Sequence, residues 1–236
     1  MNKCFIYLFL TTLITLNLKA EAPNKPNEND MNNSVTYEGG GGSGDWHNVV
    51  MIAGDHEYRT EECLPALAKM LAKHYGFKCT VLFTTSEEGF IEPGSSRMEG
   101  LEVLKDADLL VVGIRFQDFD DAQMQYIDDY LKRGGAVIGL RTSTHAFKIE
   151  ADKKWAHYSN GYKESVNADW QGGFGRTILG EQWAGHYGKN HKQSSRLLLQ
   201  ENVIDHPVLL GVEKGWVQSG GYEANPAEGS IILARG

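Results

Sequence analysis

The chain has 236 residues, of which 41% are hydrophobic and 23% are charged, a composition typical of one globular domain with a single core. Its formal net charge of −8 at pH 7 argues against a nucleic-acid partner, because proteins that bind nucleic acids usually present a basic surface to the phosphates. The composition therefore excludes a largely disordered chain and a basic nucleic-acid-binding protein.

The first residues have the pattern of a secretory signal peptide. Lys3 precedes an apolar run over residues 4–18, and Ala20 and Ala22 follow it. Because the run is short for a membrane span, we predict a signal peptide over residues 1–20, a periplasmic or secreted protein, and no stable membrane span after cleavage. The alternative is an uncleaved membrane anchor.

Residues 21–46 combine Pro, Asn and Glu with a glycine-rich run, a composition that buries too little apolar surface to fold. We predict a flexible linker here, followed by one α/β domain over residues 47–236. The two cysteines of the mature chain, Cys63 and Cys79, fall among apolar neighbours in a predicted helix and a predicted strand. Their neighbours favour buried free thiols, and a disulfide in the oxidising compartment is the alternative.

Strands and amphipathic helices alternate along the predicted domain. The first helix has Thr60 as its predicted N-cap and Gly76 as its stop, and the second opens with a capping-box-like start at Asp120. This alternation predicts right-handed βαβ units and a doubly wound parallel sheet. The predicted strands cover residues 49–53, 78–84, 108–113 and 136–140, and shorter runs follow at 196–200 and 231–234.

Charged side chains follow three of the predicted strands, at the edge where open parallel sheets bind ligands. Glu57 and Arg59 follow the first strand, Arg115 follows the third, and Arg141 and Thr142 follow the fourth. With a flavodoxin-like strand order these strands are neighbours, so we expect the arginines to converge on one crevice and to bind substrate together with Glu57 and Thr142. Two explanations of such a cationic cluster stay open, namely the oxygens of a ligand and a structural network with nearby carboxylates.

The turn from Gly139 to His145 resembles a nucleophile elbow. Its exposed position holds Arg141, which stays protonated and cannot form an acyl intermediate. A weaker alternative places Ser143 as a displaced nucleophile with His145 as its base.

The histidines suggest acid–base chemistry, because the ordinary pKa of imidazole lies close to neutral pH. We predict His145 and His186 as the catalytic candidates, with one or the other transferring a proton. Hydrogen-bonded loop histidines without chemistry are one alternative. A divalent-metal site with Glu57 is another, although the spacing matches no strong zinc signature, so no metal ligand is assigned and the cofactor is left unknown.

Aromatic residues gather between Trp155 and Phe174. Such residues either stack against the faces of sugars or pack down to seal a core, and the sequence leaves both interpretations open.

Four segments together resemble the ThuA-like (trehalose utilisation) family of the class I glutamine amidotransferase-like superfamily: residues 54–62, 77–83, 137–145 and 174–188. The resemblance implies a flavodoxin-like sheet and a role in carbohydrate metabolism. Glutaminases of the superfamily use a Cys at the elbow, where this chain has Arg141, so a glutaminase is not implied. Many members have two successive histidines where this chain has His186 and Tyr187, so a role for a second imidazole is not carried over.

Family members tend to continue beyond the point where this chain stops, which suggests a C-terminally truncated domain. The resemblance and the residues together predict a sugar-modifying protein that acts on, or binds, a trehalose- or disaccharide-type derivative without a Cys nucleophile. The alternative function is a non-catalytic carbohydrate-binding or scaffolding module.

Overall fold

The computed structural model describes residues 33–236. The predicted signal peptide at 1–20 and the first part of the predicted linker lie outside the described residues. Within residues 33–236, every helix is too short or too polar to cross a membrane.

A five-stranded sheet lies at the centre of the fold, built from β1 (Ser34–Tyr37), β2 (Asn48–Gly54), β3 (Lys78–Phe83), β4 (Leu109–Ile114) and β5 (Ala136–Gly139). Its strand order is β1-β3-β2-β4-β5; β2 to β5 run parallel and β1 pairs antiparallel with β3. Counted among the parallel strands alone, this order follows the flavodoxin-like sequence of strands. The predicted α/β fold with a doubly wound, mostly parallel sheet is therefore confirmed.

The edge strand β1 lies within residues 21–46, where the sequence predicts a flexible linker. Val35 and Tyr37 pack against the hydrophobic cluster on one face of the sheet. The glycine-rich turn that follows lies against the end of the first helix, where the Gly44 amide donates to the Tyr75 carbonyl at 2.6 Å. A Cβ atom at Gly39 would lie 2.1 Å from the Gly76 carbonyl oxygen, so the glycines permit this close approach. Composition alone misses such a contact.

Two α-helices flank the sheet, α1 (Thr60–Tyr75) and α2 (Asp121–Lys132). Asp120 caps α2 as predicted, accepting a hydrogen bond from the Gln123 amide at 2.9 Å. The residue before α1 is Arg59, in the left-handed conformation with φ 53°, and not the predicted N-cap Thr60. The Thr60 hydroxyl instead donates to the Gly113 carbonyl of β4 at 2.9 Å, which fixes the start of α1 against the sheet.

Both faces of the sheet are covered by apolar clusters, as expected for parallel strands. Leu64 and Ala68 of α1 pack on one face. Met124 and Ile127 of α2 pack on the other, together with the buried aromatic side chains of Phe147, Trp155, Tyr158 and Phe174. Most of the aromatic segment therefore seals this core.

The chain after β5 contains short strands in two small antiparallel sheets, formed by β6 (His186–Tyr187) with β9 (Gly221–Tyr222), and by β7 (Ser195–Leu199) with β8 (Gly215–Val217) and β10 (Ala234–Arg235). The strand predicted near residue 196 is confirmed as β7. Among the described hydrophobic side chains beyond residue 180, Leu209 is the one that is buried. Polar contacts therefore contribute much of what holds this part of the chain to the sheet.

Both cysteines in the described part of the chain are free. Cys79 is buried as predicted, and burial raises the pKa of its thiol to about 11. The predicted burial of Cys63 is wrong, because its helix face is exposed. Burial of part of the side chain still raises the pKa of Cys63 above its ordinary value, so neither thiol is activated.

Candidate functional site

The turn after β5 places Arg141 at the carboxyl edge of the sheet, as predicted. Its backbone has a positive φ of 35°, an uncommon conformation for a residue other than glycine. The guanidinium lies between two aromatic rings, 4.8 Å from the ring centre of Tyr58 and 4.3 Å from that of Tyr222. It also donates to the Gly220 carbonyl at 2.8 Å. Arg141 therefore binds the later part of the chain to the sheet edge.

Arg115 and Glu57 form a half-buried ion pair next to this turn. The Arg115 Nε atom lies 3.1 Å from Glu57 Oε2, and Arg115 Nη1 lies 2.7 Å from His56 Nε2. Burial raises the pKa of Glu57, but Arg115 and the hydrogen bonds from His191 and Asn190 outweigh burial and leave that pKa below its ordinary value. Glu57 is therefore ionised at neutral pH.

Thr142 donates its hydroxyl to the buried carboxylate of Asp55. The other carboxylate oxygen of Asp55 accepts from the Glu57 amide at 2.7 Å. Thr142 is 1% exposed, so it supports the loop that carries Glu57 and does not face a ligand directly.

His145 lies beneath the same edge, 3% exposed. Its ring centre is 4.9 Å from that of Phe116, 5.0 Å from Trp183 and 5.9 Å from Tyr222. Burial lowers the pKa of His145 to about 4, and the charge of Arg115 adds to this effect. His145 is therefore neutral at pH 7.

His186 lies on the other side of the same aromatic group. Its ring centre is 5.3 Å from Tyr222 and 5.6 Å from Trp183. The two predicted histidines thus share the rings of Trp183 and Tyr222 as neighbours.

Two residues considered in the sequence lie elsewhere or are already bonded. Arg59 faces solvent, with 73% of its side chain exposed, and pairs with Glu62. The expected crevice therefore contains Arg115 and Arg141 without the third arginine. The Ser143 hydroxyl is buried and donates to the Val112 carbonyl at 2.6 Å, so it is not arranged as a nucleophile with His145.

No protein-family model and no curated protein matches this chain. Two crystal structures, both provisionally described as ThuA-like proteins, are similar to it in fold. The one from Bacteroides uniformis is 14% identical, with a TM-score of 0.47 over 81% of this chain and 66% of that one. The one from Parabacteroides merdae is 12% identical, with a TM-score of 0.41 over 75% of this chain and 68% of that one.

The resemblance drawn from the sequence is to ThuA-like proteins, and the descriptions of these two structures use the same term. At this identity the similarity concerns the fold alone. This chain spans 66% of the length of the first structure, so the activity and partners of a complete ThuA-like protein are matters of proposal here.

Several residues of the site carry no local signal in the sequence. Tyr58, Trp183 and Tyr222 provide its aromatic surfaces, and the β6–β9 ribbon places Tyr222 opposite His186. Arg141 and Gly220 are far apart in sequence, so only the folded chain shows their contact. Next to these aromatic residues in the sequence, Gln182 and Glu223 line a groove of about 550 Å³.

Within residues 33–236, no group of three or more His, Cys, Asp or Glu side chains converges in a way that would hold a metal ion. Glu57 contacts His191 at 3.0 Å, whereas His145 and His186 contact aromatic rings.

Proposed function

We propose that this protein binds a disaccharide-type sugar derivative at the carboxyl edge of its sheet. The protein then transfers a proton to or from the bound sugar without a covalent intermediate. The observation that carries the proposal is the meeting of Glu57, Arg115 and His145 beside the aromatic rings of Phe116 and Trp183. A carboxylate accepts hydrogen bonds from sugar hydroxyls, a guanidinium donates to sugar oxygens, and aromatic rings cover the apolar faces of a sugar.

The charges around His145 suggest that the sugar derivative carries an acidic or oxidised group. Burial and Arg115 hold the pKa of His145 at about 4, which makes the neutral imidazole a weak base. An anionic oxygen bound by Arg115 would offset the charge of the guanidinium and raise the pKa of His145. Such a ligand would therefore strengthen the base as it binds.

A covalent route through a serine or a cysteine lacks a suitable nucleophile among the described residues at this edge. Arg141 occupies the elbow, and the Ser143 hydroxyl is bonded to the Val112 carbonyl. Cys63 lies on α1 and has a raised pKa. Proton transfer by an imidazole needs none of these groups.

Ligand entry requires movement of the segment that covers His145. This segment, residues 183–222, is held by polar contacts that include Glu57 with His191 at 3.0 Å, Arg141 with the Gly220 carbonyl at 2.8 Å, and Tyr58 with Ser219 at 3.4 Å. Because these contacts are exchangeable with water, we propose that the segment opens to admit the ligand.

We also propose that the protein works outside the cytoplasm, as its predicted signal peptide implies. Its net charge of −8 supports a small-molecule partner over nucleic acid.

Binding is tested by titrating neutral, oxidised and acidic disaccharides into the protein and measuring heat by calorimetry. Arg115→Gln is expected to weaken binding about tenfold or more, because hydrogen bonds to charged groups contribute about 1.5–3 kcal/mol. Arg59→Gln is the matched control, since Arg59 faces solvent and contacts Glu62. Equal affinity in the two variants would contradict the proposed site.

A second candidate function is a carbohydrate-binding module without catalysis. The burial of His145 favours it, because an enclosed imidazole with a pKa of about 4 is poorly suited to proton transfer in the closed state. Mass spectrometry of the same sugars after incubation separates the two functions. A product that the unaltered protein forms and the His145→Gln variant does not form supports the enzyme function. Binding without any product supports the carbohydrate-binding module.

A further inference from the structure

A groove of about 490 Å³ lies between α2 and the aromatic segment, away from the carboxyl edge of the sheet. The proposed sheet-edge site uses none of its residues. The side chains that matter here are Asp128 and Lys132 from α2, Lys154, and Trp155, His157 and Trp170 from the aromatic segment.

Two buried nitrogen atoms of this groove lack a well-formed hydrogen bond in the described part of the chain. They are Trp155 Nε1 and His157 Nδ1. The Trp155 side chain is itself 5% exposed. A buried polar group without a partner costs free energy, so each such group calls for a ligand or water that satisfies it. Their place in one groove indicates a ligand that forms hydrogen bonds.

Asp128 and Lys132 of the groove are paired with each other, and Lys154 contacts neutral groups. Asp128 is 4% exposed; it accepts from the Tyr158 hydroxyl at 3.0 Å and lies 2.7 Å from Lys132 Nζ. Lys154 Nζ lies 4.2 Å from the centre of the Trp155 ring and donates to Gln125 at 3.0 Å. Burial lowers the pKa of His157 despite the nearby charge of Asp128, so this imidazole is neutral at pH 7. The Lys154 ammonium is therefore the one charge of the described groove without an oppositely charged partner, and it already contacts the Trp155 ring and the Gln125 amide.

Aromatic rings supply the remaining surface. The ring centres of His157 and Trp170 are 5.0 Å apart, and those of Trp155 and His157 are 6.0 Å apart. Trp170 is half-buried and packs on Tyr158 at 4.4 Å, which holds its ring in place. Rigid aromatic rings beside unpartnered polar atoms suit a ligand whose ring has apolar faces and polar groups around its edge.

We propose that this groove is a second binding site, specific for an uncharged saccharide, in which Trp170 and Trp155 cover a sugar face and Trp155 Nε1 donates to a sugar oxygen. The exposed Lys154 side chain moves aside to uncover the Trp155 ring. This site is independent of the proposed function at the sheet edge, because it shares no residue with that site.

The test follows the indole N–H signals of the tryptophans by NMR while glucose, maltose, cellobiose and trehalose are added. The chain has five tryptophans, so the Trp155 signal is assigned from a Trp155→Phe variant. We expect a neutral sugar to shift this signal. Trp170→Ala should weaken binding about tenfold or more through the loss of a large aromatic contact, and Trp46→Ala, at a position 92% exposed, should leave it unchanged.

The sheet-edge variant Arg115→Gln separates the two sites. If the second site is independent, adding a neutral sugar to this variant still shifts the Trp155 signal, even if all binding at the sheet edge is lost. The proposal is overturned if no neutral sugar moves the Trp155 signal at millimolar concentration, or if glucuronic acid alone moves it. A folded Trp170→Ala variant with unchanged affinity would overturn it as well.

Discussion

The Thr142 hydroxyl donates to the Asp55 carboxylate, and each of these residues is 1% exposed. This bond joins the loop after β2 to the turn after β5, two connections that leave the sheet from strands separated by β4. Because Asp55 also accepts from the Glu57 amide, it sets the backbone position of a carboxylate that we place in the site. The buried pair of Thr142 and Asp55 thus determines the position of the Glu57 carboxylate.

Thr142→Val should lower the free energy of unfolding by about 1–3 kcal/mol, because it leaves a buried carboxylate short of a partner. Urea denaturation followed by circular dichroism measures this change. Thr177→Val is the matched control, since Thr177 is exposed, and it should change stability by less than about 0.5 kcal/mol. Equal denaturation midpoints for the two variants would show that the Asp55 bond contributes nothing.

Local signals in the sequence predict most of the central sheet and both helices. Asp120 caps α2 and Gly76 ends α1 as expected, because each acts through backbone groups a few residues away. The apolar runs of the parallel strands are equally local. These features depend on neighbouring residues, so one sequence suffices to predict them.

Long-range contacts decide the rest of the fold and much of the site. Thr60 looks like an N-cap in the sequence, but its hydroxyl bonds to Gly113 on another strand. Arg59 looks like a site arginine, but its left-handed backbone precedes α1 and its side chain pairs with Glu62 in solvent. Tyr222 reaches Arg141 only through the folding of the later chain. Such pairings leave no periodic or short-range pattern to read.

His145→Gln should reduce the loss of stability between pH 7 and pH 5. The pKa of His145 falls from its ordinary value of 6.5 to about 4 in the folded state. Between these values the unfolded chain binds a proton that the folded chain does not, so the free energy of unfolding falls as the pH falls. Gln has no titrating group and removes this contribution. Urea denaturation of both proteins at pH 7 and pH 5 measures it, and equal losses in the two proteins would contradict the lowered pKa.

Gly173→Ala should be strongly destabilising. Gly173 has a positive φ of 76°, and a Cβ atom there would lie 2.0 Å from the Ser159 carbonyl oxygen. Backbone must therefore shift beside Tyr158 and Phe174, and we expect a loss of about 3 kcal/mol or more. Gly161→Ala is the control, because its φ is 74° but no atom lies within 4 Å of the added Cβ. It should cost about 1 kcal/mol, from the left-handed backbone alone. Similar melting temperatures for the two variants would refute the steric explanation.

Glu57→Gln should loosen the segment that covers His145. The Glu57 carboxylate holds Arg115 from the sheet edge at 3.1 Å, and His191 at 3.0 Å and Asn190 at 3.3 Å from the covering segment. A neutral amide weakens the attraction to Arg115 and cannot accept equally from all three partners. Hydrogen exchange measured by mass spectrometry should therefore become faster over residues 187–193, while exchange in β2 and β4 stays unchanged.

Glu62→Gln provides the comparison for this last prediction, because Glu62 also pairs with an arginine but lies on the exposed face of α1. Exposed ion pairs contribute little, so exchange over residues 187–193 should stay as in the unaltered protein. If Glu57→Gln and Glu62→Gln leave this segment equally protected, its attachment does not depend on Glu57. If only Glu57→Gln speeds exchange, one carboxylate both completes the charge pair of the site and holds its cover closed.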